Sequence, residues 1–194
     1  MNLLVVALSL LVGLLRGYRI GDLFSHRFRG MPLFFGSLAI QLILGTARAE
    51  ATLWIRAAAP LLNLGSMGLL VLALILNHEL WGARFAALGV FANVAVIFAN
   101  GGKMPVSTEA LRSVGMPASR VAYLIAGRSL VHRPMRPGTA LWFLGDLLYL
   151  PPPIVRSAVF SIGDIILAGG VFLLIQDAMS KSAALRRQGE ETAG

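Results

Sequence analysis

Hydrophobic residues along this chain come in long blocks rather than at the three-to-four spacing of a half-buried helix, and short polar stretches separate the blocks. Five blocks stand out, at residues 3–15, 32–46, 54–76, 80–99 and 159–176. A helix of about 20 apolar residues crosses a bilayer core of about 30 Å, so the pattern predicts an all-α fold, a polytopic transmembrane helical bundle of about five spans. Pro32 opens the second block, where its missing N–H costs nothing, and Gln41 within that block calls for an interhelical hydrogen bond. The third block holds Pro60, Asn63 and the pair Gly65/Gly68, which predict a kinked, closely packed helix. Residues 139–150 are apolar but too few to cross, and Pro151, Pro152 and Pro153 end them abruptly. They predict a re-entrant segment.

The polar stretches carry their own signals. Residues 16–30 hold four arginines and one aspartate, with Phe24 and Phe28 interleaved, as in a loop lying on the membrane surface. Asn77-His78-Glu79 reads as a tight turn; with no second histidine at helical spacing it is not a metal motif. Asn100-Gly101-Gly102-Lys103 stops the fourth helix, because two glycines permit positive φ and a lysine suits the negative end of the helix dipole. The same irregular backbone could line a polar cavity, which makes Asn100, Gly101, Gly102 and Lys103 candidate binding residues. Ser107 starts a short helix that Gly115 stops, and Pro117 opens another reaching about Val131, with Val121, Leu124, Ile125 and Leu130 on one side. Residues 100–137 therefore read as a membrane-surface helical loop within a single transmembrane domain, 1–180, followed by a polar C-terminal tail, 181–194.

Composition agrees with a membrane protein. Of 194 residues 57% are hydrophobic and 13% charged, where soluble domains carry about 25% charged residues; mean hydropathy is +0.76. The absence of cysteine excludes disulfides and thiolate metal sites, and no cofactor is expected. A net charge of +8 could suggest nucleic acid, but the basic residues stand singly between apolar runs without an aromatic stacking platform. They read as anchors to lipid headgroups of a cell membrane that the chain crosses several times, with membrane lipids and a further membrane protein as the partners to expect. Five spans with residues 16–30 in the cytoplasm also place the tail there, as the positive-inside rule prefers, but put residues 100–137 outside.

Two carboxylates sit in membrane-grade sequence, Asp146 in Leu144-Gly145-Asp146 and Asp164 in Phe160-Ser161-Ile162-Gly163-Asp164. Such groups cost about 2.5–3.5 kcal/mol each on insertion scales, so they call for a reason. The proline corner between them should bring the two segments back together, and a pair in a poorly solvated site cannot both ionise easily. A plainer reading is available. Ser161 and Asp164 have the spacing of a capping box, and Gly-Asp flanked by aliphatics recurs at Gly21-Asp22, as a way of starting helices.

Leu15-Arg16-Gly17, Asn100-Gly101-Gly102-x-Met104-Pro105-Val106, and the stretch from Leu144-Gly145-Asp146 through Phe160-Ser161-x-Gly163-Asp164 together resemble DUF5317, a bacterial family of multi-spanning membrane proteins. That resemblance implies an integral membrane protein and no activity. The last fifty or so residues are also similar to lipoprotein signal peptidases, intramembrane aspartyl enzymes with a Phe-Asn-x-Ala-Asp motif. Here Ser161 replaces the Asn, Gly163 the Ala, Phe143 stands where an Asn should precede the first Asp, and Leu147 replaces its Arg. Only Asp146 and Asp164 carry over, as a catalytic dyad if the chain is an enzyme, with Ser161 beside them as a binding residue. Three readings follow: an accessory, assembly or small-ligand-binding component with a polar site near Asp146, Asp164 and Asn100; a hydrolase of peptide or lipid-linked substrates; or a proton-coupled transporter.

Overall fold

A computed structural model describes residues 2–46, 53–150 and 158–192. Its helices are α1 (Asn2–Leu15), α2 (Ile20–Ser25), α3 (Met31–Thr46), α4 (Leu53–Leu76), α5 (Trp81–Ala99), α6 (Thr108–Ser113), α7 (Ala118–Ile125) and α8 (Ile162–Thr192). Between α5 and α8 lie four three-residue strands, β1 (Met104–Val106), β2 (His132–Pro134), β3 (Leu148–Leu150) and β4 (Ala158–Phe160), and a 3-10 turn at Trp142–Leu144. The proline corner at 151–153 falls outside the described residues.

Polarity is distributed inside out. Leu15, Leu61 and Phe98 are each more than 70% exposed, whereas Ser9, Asn63, Ser66, Asn93 and Gln176 are buried. Water would not tolerate so continuous an apolar surface, and lipid favours it. Trp54, Trp81 and Trp142 are exposed as well, with Trp81 under the Arg84 guanidinium at 4.8 Å; exposed tryptophans of this kind mark the headgroup level. The chain is a multi-pass membrane protein.

The expectation of about five spans plus a re-entrant segment is corrected. Three helices among the described residues are long and apolar enough to cross, at Trp54–Leu76, Trp81–Ala99 and Ile162–Thr192. The apolar helices α1 and α3 have 14 and 16 residues, which at 1.5 Å per residue gives about 21 and 24 Å against a core of about 30 Å. Residues 139–150 do not re-enter as a helix: they form the 3-10 turn and β3, which pairs with β4 antiparallel. The last helix starts three residues later than its apolar run, because Ala158–Phe160 is spent on β4, and it continues without a break through the polar segment to Thr192.

At the centre of the bundle α5 and α8 lie antiparallel with backbones nearly touching. A Cβ on Gly82 would collide with the backbone of Leu174, one on Gly170 with Ala86, one on Gly89 with Leu167, and one on Gly163 with Asn93. The stripe 82-86-89-93 on α5 thus meets 174-170-167-163 on α8 in one register, which small residues permit where lipid supplies no hydrophobic drive. Gly65 and Gly68, read from sequence as close-packing, have open space where a side chain would go. Polar bonds lock the flanking helices. Gln41 Nε2 donates to Asn63 Oδ1 (2.9 Å) and Ser66 Oγ (2.6 Å), joining α3 to α4, while Gln176 Nε2 donates to the Ser9 carbonyl (2.6 Å), joining α8 to α1. At the end opposite the strands, buried Asp22 accepts from Arg19 N (2.7 Å) and pairs with Arg186 (3.0 Å), a helix cap and a tether between α2 and α8.

Candidate functional site

The strands form a cap over the end where α5 finishes and α8 begins. β1 is its spine. It pairs in parallel with β2, setting Met104 opposite His132 and Pro105 opposite Arg133. On its other edge Val106 bridges Asp146, whose N–H donates to the Pro105 carbonyl (2.9 Å) and whose carbonyl accepts from Ser107 N (2.9 Å). β3 pairs with β4 so that Leu148 faces Phe160. That pairing lays the chain just after Asp146 beside the chain just before Asp164. Strand pairing, rather than helix packing, brings the two acidic segments side by side.

Asp164 does what its capping-box spacing predicts, and more. Its Oδ2 accepts from Ser161 N (3.0 Å), while Ser161 Oγ accepts from Asp164 N (3.0 Å), so each satisfies a free amide at the start of α8. Its Oδ1 accepts from Asn93 Nδ2 (2.8 Å), and Ser161 Oγ donates to Asn93 Oδ1 (2.9 Å). Gly163 lets Asn93 come this close. Asn93, two turns before Asn100 on the same face of α5, is the site residue that sequence reasoning passed over; an amide inside an apolar helix, with Gly89 four before it and Asn100 seven after, was the available signal.

Asp146 is built differently. It starts no helix, so the capping reading fails for it, and its segment is extended backbone. The residue is 8% exposed, and among the described residues no hydrogen bond or ion pair reaches its carboxyl. Desolvation, and then the charge of Asp164, push its pKa up to about 8. A carboxyl in that position holds its proton at neutral pH. On β2, desolvation lowers the pKa of His132 while the charge of Asp164 opposes that shift. Gly145, beside Asp146, packs on Met135 and the Trp142 carbonyl; these two residues, with Arg136, Pro137, Gly138 and Thr139, line a surface depression of about 400 Å³. The depression therefore backs onto the Asp146 segment.

The remaining candidates are held by bonds of their own. Asn100 Nδ2 donates to the carbonyls of Val96 and Ala140 (both 2.8 Å), clamping the turn in which Leu141 is held at φ 50°, a left-handed conformation strained for leucine. Gly101 and Gly102 take φ of 69° and 78°, as the helix-stop reading requires, and Lys103 Nζ donates to the Ser129 carbonyl (2.7 Å). These residues brace the cap through those bonds. Among the described residues no group of three His, Asp or Glu side chains is placed to hold a metal ion.

Comparison with known proteins adds relatives without an activity. An uncharacterised protein of Thermotoga maritima is 26% identical over 169 residues, covering 87% of this chain and 86% of its own. No solved structure matches. Nothing in these comparisons supports the similarity to lipoprotein signal peptidases. A family model matches residues 25–176, and the chain belongs to that family, DUF5317, a family of unknown function.

Proposed function

We propose that this DUF5317 protein is a small-ligand-binding component of the bacterial cell membrane, and that Asp146 is the group through which a small cationic solute binds in exchange for a proton. One observation carries the reading: among the described residues Asp146 is a buried carboxyl without a partner, near a carboxylate whose oxygens are already engaged. A second negative charge beside Asp164 is unfavourable in a desolvated site, so Asp146 gives up its proton most readily to a cation that replaces it. The depression lined by Met135, Arg136, Thr139 and Trp142 offers a way in from the surface. An aspartyl dyad would need both carboxyls within reach of one water, one as base and one as acid, and both Asp164 oxygens are committed to capping and bracing α8.

Labelling with an apolar carbodiimide tests this, because the reagent attacks protonated carboxyls that it can reach. Mass spectrometry is expected to find Asp146 modified in preference to Asp164 at neutral pH. The reaction should fall away as pH passes about 8, and sodium, ammonium or tetraethylammonium salts should slow it. Preferential labelling of Asp164, or labelling of Asp146 that ignores both pH and all three cations, would overturn the proposal.

A further inference from the structure

We infer that Arg56, Lys103 and Arg133 form a binding site for a phosphate-bearing anion at the membrane surface, on the face of β2 opposite the carboxylates. The site is separate from Asp146 and does not depend on the function proposed for it. Three elements meet there. Pro60 follows Arg56 by one turn of α4 and so shares its face; a Cβ on Gly102 would come within 2.7 Å of Pro60 Cα. Asn63 Nδ2 holds the Gly102 carbonyl at 2.9 Å, so the chain leaving α5 rests on the side of α4 that presents Arg56. Lys103 is the next residue, fixed by its bond to the Ser129 carbonyl. The parallel register of β1 and β2 then lays Arg133 alongside, its Nη1 donating to the Asn100 carbonyl at 3.4 Å. Successive residues of a strand point to opposite faces, which separates Arg133 from its neighbour His132. Leu130, packed against Ala59 and Ile55, closes the third side.

Burial, and then the charges of Arg56 and Arg133, hold the Lys103 ammonium below its ordinary range. Cations kept together in this way repel one another, and among the described residues neither Lys103 nor Arg133 has an acidic partner. A phosphate supplies what Lys103 and Arg133 lack, since it accepts two parallel bonds from a guanidinium and attracts an ammonium as a point charge. Trp54, 69% exposed two residues before Arg56, places the cluster at headgroup level. A lipid headgroup and free phosphate both carry this chemistry.

The experiment that separates them uses the full-length protein in nanodiscs of phosphatidylcholine, of phosphatidylcholine with phosphatidylglycerol, and of phosphatidylcholine in buffer with inorganic phosphate at matched ionic strength. Melting temperature is measured in each, and lipid retention by native mass spectrometry. Phosphatidylglycerol is expected to raise the melting temperature. That rise should shrink several-fold in Lys103→Gln and in Arg133→Gln, and persist in Lys103→Arg and in Arg120→Gln, which removes an exposed charge on α7 outside the cluster. The phosphatidylcholine samples report whether each variant folds. A cluster-dependent rise with inorganic phosphate but not with phosphatidylglycerol would make the anion a soluble one. No rise with either, or an equal loss in Arg120→Gln, would overturn the site.

Discussion

Gly170→Ala is expected to lower the stability of the folded protein by about 3 kcal/mol, while Gly169→Ala changes it by less than about 1 kcal/mol. The two substitutions add the same methyl group to the same helix one residue apart. At Gly170 the new carbon would lie 2.5 Å from Ala86 Cα and 2.8 Å from Ala86 Cβ, and no side-chain rotation can relieve a collision with the α5 backbone. At Gly169 nothing lies within 4 Å, so the gain in helix propensity is opposed by no clash. Forcing α5 and α8 apart at one point disturbs the register that also seats Gly82, Gly89 and Gly163, and Gly82→Ala should repeat the effect of Gly170→Ala from the partner helix. Unfolding with increasing sodium dodecyl sulfate in micelles measures all three. Equal effects at Gly169 and Gly170 would mean that the glycine stripe is not the seam.

The second large effect is one of pH. In the unfolded chain Asp146 titrates near 3.8, and in the fold near 8. Between those values the folded protein holds a proton that the unfolded chain has released, so stability falls as pH rises through the window and levels off above it. At 1.36 kcal/mol for each pH unit of displacement, the loss across the window is on the order of 5 kcal/mol. Asp146→Asn keeps the shape of the protonated acid and has nothing to release. Its melting temperature should match the parent near pH 4 and exceed it increasingly toward pH 9. A carboxylate paired in the fold would give the opposite slope.

The sequence made the lipid-embedded character plain, since long apolar blocks and a low charge content have few other physical outcomes. It overstated the number of crossings, because a run such as residues 32–46 reads as a span by composition while the helix described there has 16 residues. Capping was legible wherever the bonds are local: Ser161 with Asp164, and Ser107, whose hydroxyl accepts from Ala110 N at 3.1 Å. The cap was not. Strands of three residues leave no periodicity to read, and the bridge that holds Asp146 to Val106 joins residues far apart in the chain. Glycines were misassigned for a related reason. Gly65/Gly68 and the 82-86-89 stripe look equally small in sequence, and only the position of a neighbouring backbone distinguishes them. The second helix of the loop, expected to reach Val131, ends at Ile125, since Gly127 at φ 68° reverses the chain and frees residues 132–134 to form β2.

The most direct measurement on Asp146 is an infrared pH titration of the carboxylic acid C=O stretch in purified, membrane-reconstituted protein. A protonated-carboxyl band is expected at pH 7, fading with a midpoint near 8. It should be absent from Asp146→Asn and unchanged in Glu109→Gln. No such band at neutral pH, or one that survives in Asp146→Asn, would contradict the account.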